Sequence, residues 1–186
     1  MLNINTFMLK VGFNLYENTI NIPMHDGFIS IRNHELLYAH LKGANKLGKS
    51  FYMSSLTIDF EGKRIMDLDY CDLNLWDDYL SALIAFTENG YASILFGSSY
   101  LLGYTLELKR LGENKILFQL HEDDGRSAKK KIVVSQIFPQ KLFIETLINE
   151  IEYTLYTLDK TGIYSYRIEE ALEDIKFVND YKDYWL

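Results

Sequence analysis

The stretch Gly43-Ala44-Asn45-Lys46-Leu47-Gly48-Lys49-Ser50 satisfies G-x-x-x-x-G-K-[ST], the phosphate-binding loop pattern. A working loop of this kind follows a buried strand and opens a helix, whose amides and dipole face the phosphates. The lysine then reaches the terminal phosphates and the hydroxyl holds magnesium. Such a site would use Gly43, Gly48, Lys49 and Ser50. Both flanks argue against it. The preceding "HELLYAHLK" has helical spacing, and the following "FYMSSLTIDF" alternates and is rich in aromatic and β-branched residues. The order is helix, loop, strand, the reverse of what the chemistry needs. Asp59 comes too soon after Ser50 for an intervening crossover helix, so no magnesium-holding acid is in place. Four fixed positions match by chance in roughly one protein of this length in a hundred or two, which makes an accidental match credible. The motif reads as the basic, glycine-marked exit of a helix, and nucleotide binding stays as the alternative reading.

Other chemical groups are weaker. Nuclease cores set Glu-x-Lys on a strand beside a strand that carries an acid. Glu61-Gly62-Lys63 sits at a hairpin turn, and Glu107-Leu108-Lys109 follows "YASILFGS", which has no acid. His34 and His40 are six apart and fall on different sides of a helix. His25 lies beside Asp26 in a loop. His121-Glu122-Asp123-Asp124 lacks the spaced ligands of a calcium loop and reads as a turn before the lysines of "GRSAKKK". Cys71 stands between Asp69 and Asp72, the opposite of the cationic setting a nucleophilic thiol needs. No catalytic residue, metal site or cofactor is expected.

The C-terminus differs. "EEALEDIKFVNDYKDYWL" places Glu169, Glu170, Glu173, Asp174, Asp180 and Asp183 against Lys176 and Lys182, with Tyr181, Tyr184 and Trp185 interleaved. Acids steer a basic partner and aromatics anchor it. The candidate partner-binding set is Glu169, Glu170, Glu173, Asp174, Asp180, Asp183, Tyr184 and Trp185. The competing reading docks Ile175, Phe177 and Val178 on the core and buries the aromatics with them.

The elements that position these groups come from periodicity. A first strand is predicted over Phe7–Tyr16, and a short one at Phe28–Ile31. Asn33 caps a helix through "HELLYAHLKGANK". Two strands flank the turn at Glu61-Gly62-Lys63, with Leu56, Ile58 and Phe60 alternating with Thr57, Asp59 and Glu61. Asn74 caps "LWDDYLSALIAFTEN", which Gly90 stops. Four strands with short turns follow over about 91–136, with Ile132 and Val134 of the last expected to face the core. Short turns make this an antiparallel meander. Pro139 opens the longest helix, whose Phe143, Leu147, Ile151, Leu155 and Leu158 recur at helical spacing. A final helix runs through "YRIEEALEDIKFV". Clustered strands indicate an α+β fold, with helices on one face of a mostly antiparallel sheet, in a single domain over 1–186.

Composition bounds the function. The chain has 186 residues, 48% hydrophobic and 15% aromatic, which is ample for one core. Its net charge of −7 repels nucleic acid and anionic membranes and suits a basic protein partner. One cysteine precludes an internal disulfide, and no apolar run reaches the ~20 residues of a spanning helix. A cytoplasmic protein is expected. In size, acidity, tyrosine content and mixed layout, the chain resembles the immunity proteins that accompany bacterial polymorphic toxins. The resemblance is one of class, without a shared motif, and implies a non-enzymatic role in which a cognate toxin is blocked by direct contact. A structural or oligomeric domain is the third reading, and the oligomeric state is left open.

Overall fold

The computed structural model describes residues 1–10, 24–46, 53–72, 75–96, 103–123, 131–161 and 168–181. In chain order its elements are β1 (Leu2–Leu9), a 3-10 turn (Met24–Gly27), β2 (Phe28–Ser30), α1 (His34–Lys46), β3 (Ser54–Phe60), β4 (Lys63–Met66), β5 (Cys71–Asp72), α2 (Leu75–Asn89), β6 (Tyr91–Phe96), β7 (Gly103–Arg110), β8 (Lys115–Asp123), β9 (Lys131–Pro139), α3 (Gln140–Asp159) and α4 (Ile168–Tyr181). The strands form two antiparallel sheets. One has the order β2-β1-β3-β4, with β5 also paired to β3. The other is the meander β6-β7-β8-β9. The fold is α+β.

Local chemistry explains the boundaries. Asn33 caps α1: its side-chain oxygen accepts the Leu36 N–H at 3.2 Å. At the β3–β4 hairpin, Glu61 (φ 51°) and Gly62 (φ 79°) are both left-handed, the backbone twist that a two-residue turn between right-twisted strands requires. Gly90 (φ 69°) ends α2, donating its N–H to the Phe86 carbonyl at 2.7 Å and accepting from the Arg110 N–H at 2.9 Å. The chain thus passes from helix into β6 without a loop. Pro139 (φ −58°, ψ 123°) closes β9 and directly precedes α3.

The meander reaches Pro139 rather than stopping near residue 136. Leu106, Leu108, Ile116, Phe118, Leu120 and Val134 are buried on its inner face. Ile132 is not: it is 52% exposed. The register shifts at Leu120/His121, setting Val134 opposite Leu120 but Ile132 opposite His121. The extra residue turns Ile132 to the outer face. The segment His121–Asp123 continues β8 instead of forming a turn. Glu122 there meets Lys131 at 3.5 Å, so an acid of this run does face a following lysine.

The first strand begins earlier than Phe7. Leu2, Ile4, Thr6 and Met8 alternate as its buried face and pair along β3. Asparagines at positions 3 and 5 occupy the other face, where their low strand propensity weakens the signal, and Thr6-Phe7 puts a polar residue on the buried face and an apolar one opposite. Residues 11–16 lie outside the described residues. In β3, Leu56 and Ile58 are buried as their alternation requires, but Ser55 and Thr57 are buried too. The segment leading into β5 accounts for Ser55, whose hydroxyl donates to the Tyr70 carbonyl at 3.0 Å.

Both sheets contribute to one hydrophobic cluster together with α2, α3 and α4. Phe138 stacks on Phe143 at 4.9 Å and meets the edges of Phe60 (5.1 Å) and Phe118 (6.2 Å), so one ring ties β9, α3, β3 and β8 together. On α3, Phe143, Leu147, Ile151 and Leu155 lie in this cluster. Leu158, one turn on, joins Met8, Ile29, Ile31, Leu37, Leu41 and Ala44 under α1. The apolar stripe of α3 therefore spans both cores.

Candidate functional site

Helix α4 carries most of the acidic candidates. Ile168, Ala171, Ile175 and Val178 are buried at helical spacing and dock on α2 and α3. Phe177 packs against the same core and contacts the Tyr181 ring at 4.6 Å. This docking uses one stripe and leaves the opposite face in solvent. Glu169, Glu170, Glu173 and Asp180 are exposed there, with Lys176 standing between Glu173 and Asp180. Leu172 and Tyr181, 47% and 42% exposed, flank this acidic face on its two opposite sides. Asp174 is half-buried at the boundary. Burial pushes its carboxyl above the usual range, and the charges of Glu170, Asp77 and Glu173 add to the rise. The first turn of α2 thus brings Asp77 up to the acids of α4. Among the described residues, no cation forms an ion pair with Glu169, Glu170, Glu173, Asp174 or Asp180. Glu169 and Glu170 also suit the positive end of the α4 dipole. Asp183, Tyr184 and Trp185 lie outside the described residues.

The phosphate-loop motif is split by the same limit. Gly43 is helical, within α1, whereas Gly48, Lys49 and Ser50 lie outside the described residues. The described chain before the motif is a helix, and Ser54 opens a strand. Among the remaining candidates, Glu61 and Gly62 form the hairpin turn and Lys63 opens β4. Glu107 on β7 faces His121 at 3.3 Å. Cys71 pairs with Ser55 across the β5–β3 ladder. Among the described residues, no group of three or more His, Cys, Asp or Glu side chains is arranged to hold a metal ion.

A second polar centre escaped the sequence reading. Glu150 of α3 is only 3% exposed. Its carboxylate accepts the Thr6 N–H at 2.7 Å and two Arg32 N–H groups at 2.9 and 2.5 Å. The topology explains why. β2 ends at Ser30, opposite Phe7, and Ile31 donates to the Thr6 carbonyl. The neighbouring Thr6 amide has no strand partner on that side, and Glu150 supplies one. Thr154, one turn further along α3, donates its hydroxyl to that of Thr6 at 3.0 Å. Arg32 lies over the Tyr153 ring at 4.9 Å, and Tyr153 hydrogen-bonds His34 at 2.7 Å. Glu150 holds the Arg32 proton more tightly than usual, against an opposing effect of partial burial. The cluster ties the β2–α1 connection, β1 and α3 together. Its signal in the sequence is Glu150 itself, a charge set into the apolar stripe of Leu147, Ile151 and Leu158.

His40, on another side of α1, is half-buried. Burial lowers its tendency to protonate, Lys10 lowers it further, and a hydrogen bond with the Leu9 backbone opposes both. No helix among the described residues is long and apolar enough to cross a membrane. Comparison with known proteins gives no match to a protein family, a curated protein or a solved structure.

Proposed function

We propose that this chain is a non-enzymatic binding protein that engages a basic protein partner through the outward face of α4. One observation carries the reading. Helix α4 docks by a single stripe and presents Glu169, Glu170, Glu173 and Asp180 to solvent, with exposed Leu172 and Tyr181 on the two flanks of that face. Like charges at Glu169/Glu173 and Glu170/Asp174 disfavour the isolated helix by about 0.2–0.5 kcal/mol per pair. A cationic surface would relieve that repulsion. Leu172 and Tyr181, at the flanks, would add apolar contact at the edges of that surface. The likeness to immunity proteins of polymorphic toxins, together with the acidity of the chain, makes a toxin, often a basic nuclease, the partner this reading favours.

The test is co-purification of the full chain with the product of the adjacent reading frame, at low and high salt, for wild type and for Glu170→Lys/Glu173→Lys. A basic protein should be retained by wild type. The double reversal should weaken retention about tenfold or more, mainly through slower association, with an unchanged melting curve. Recovery of no basic partner, or equal retention by the reversed variant, refutes the reading.

A further inference from the structure

We infer that this chain self-associates by antiparallel pairing of β6 with β6 of a second copy, joining two meanders into one eight-stranded sheet. The inference is independent of the α4 surface. Among the described residues, β6 is a terminal strand that pairs only with β7. The other edges are guarded in ways that discourage such pairing. β9 carries Lys131, a register shift and Pro139. β2 spans three residues and β5 two, and β4 is short and begins Lys63-Arg64. β6, with the sequence Tyr-Ala-Ser-Ile-Leu-Phe, has no charge, no proline and no register shift.

The direction of its backbone groups follows from one bond. The Arg110 N–H donates to the Gly90 carbonyl at 2.9 Å, and the register places Tyr91 opposite Lys109. Bonding groups in an antiparallel ladder alternate sides. Gly90, Ala92 and Ile94 therefore bond towards β7, and the N–H and C=O groups of Tyr91, Ser93 and Leu95 point to the open edge. A two-fold axis through Ser93 pairs Ser93 with Ser93 of the second copy, and Tyr91 with Leu95 in both directions. All six outward groups then find partners.

Side chains agree with this register. Tyr91 and Leu95 lie on the outer face of the meander, 46% and 65% exposed. The pairing sets each against the other, an aromatic–aliphatic cross-strand pair of the kind that stabilises sheets. On the inner face, half-buried Ile94 meets Ala92 of the second copy. Charge permits the approach despite −7 on each chain. The nearest charges in this part of the outer face, Glu107 and Lys109, stand on β7. They are three strand spacings, about 14 Å, from their equivalents across the seam. That exceeds the Debye length of roughly 8–10 Å near physiological salt.

The test is the mass of the full chain by sedimentation velocity across protein concentration. Wild type should pass from 21.8 kDa to about 44 kDa, twice the chain mass, as concentration rises. Ser93→Pro removes an outward N–H without touching the β7 ladder, and Leu95→Lys places a charge in the seam at a solvent-exposed position. Each should remain at the monomer mass with a wild-type circular dichroism spectrum. In a Cys71→Ser background, Ser93→Cys should form an interchain disulfide under mild oxidation, because paired α-carbons lie about 5.5 Å apart. Tyr91→Cys should not, its two copies being about 14 Å apart along the seam. A wild-type monomer at every concentration overturns the inference. So does a dimer that survives Leu95→Lys and yields no crosslink at position 93.

Discussion

Removing Arg32 should cost more than neutralising its partner, and neutralising the partner should then restore part of the loss. Arg32→Met leaves the carboxylate of Glu150, 3% exposed, without the two guanidinium bonds at 2.9 and 2.5 Å. Stranding a buried charge costs about 3–5 kcal/mol. The Arg32 side chain is 44% exposed, so water can reach the vacated site, and the lower end, about 3 kcal/mol, applies. For a chain of this size that lowers Tm by about 6–12 °C. Adding Glu150→Gln removes the stranded charge and keeps an oxygen for the Thr6 N–H. The double variant should therefore recover about 2 kcal/mol relative to Arg32→Met alone, a coupling within the range seen for contacting residues. The measurement is urea unfolding of wild type, both single variants and the double variant, with unchanged m-values as the control. If Arg32→Met costs less than about 1 kcal/mol, or the two losses simply add, the Arg32–Glu150 pair does not hold β1 to α3 as argued.

Two further outcomes follow from single positions. Gly90→Ala should lower stability by about 1–2 kcal/mol in thermal melts, because φ is 69° and a new Cβ would stand 3.4 Å from the Arg110 guanidinium carbon; no loss would mean that the α2–β6 junction relaxes freely. Asp174→Asn should raise Tm at neutral pH by about 1–2 °C by removing a carboxylate crowded by Glu170, Asp77 and Glu173. Because the folded carboxyl binds its proton more tightly than its ordinary value of 3.8, the wild-type penalty is present above the folded pKa and fades as pH falls through it. The gap between variant and wild type should therefore narrow on acidification, and a gap that widens would reverse the assignment.

Much of the layout was legible because it rests on short-range patterns. Asn33 caps a helix, Glu61-Gly62 turns a hairpin and Gly90 stops α2, each through backbone geometry set by a few neighbouring residues. The meander and the stripe of α3 follow from periods of 2 and 3.6. The start of the first strand is faint in the sequence because Asn3 and Asn5 have low strand propensity and Thr6 puts a polar residue on the buried face, a face that pairing with β3 fixes. Ile132 was placed in the core because the register shift that turns it outward arises between two strands, not within one.

The candidate site divides along the same line. The acids of α4 and the stripe that docks it are visible in the sequence, since both lie on one helix and repeat with its turn. The convergence of Asp77 on Asp174 is not, because it depends on how α2 and α4 pack. The Glu150 centre is the clearest case. A charge set among Leu147, Ile151 and Leu158 is an anomaly in the sequence, but its partners, Thr6 and Arg32, lie 144 and 118 residues away. Local composition and periodicity specified which faces the elements bury. Only the meeting of distant strands and helices decided which buried polar groups satisfy one another, because a hydrogen bond or an ion pair depends on a distance that no local pattern encodes.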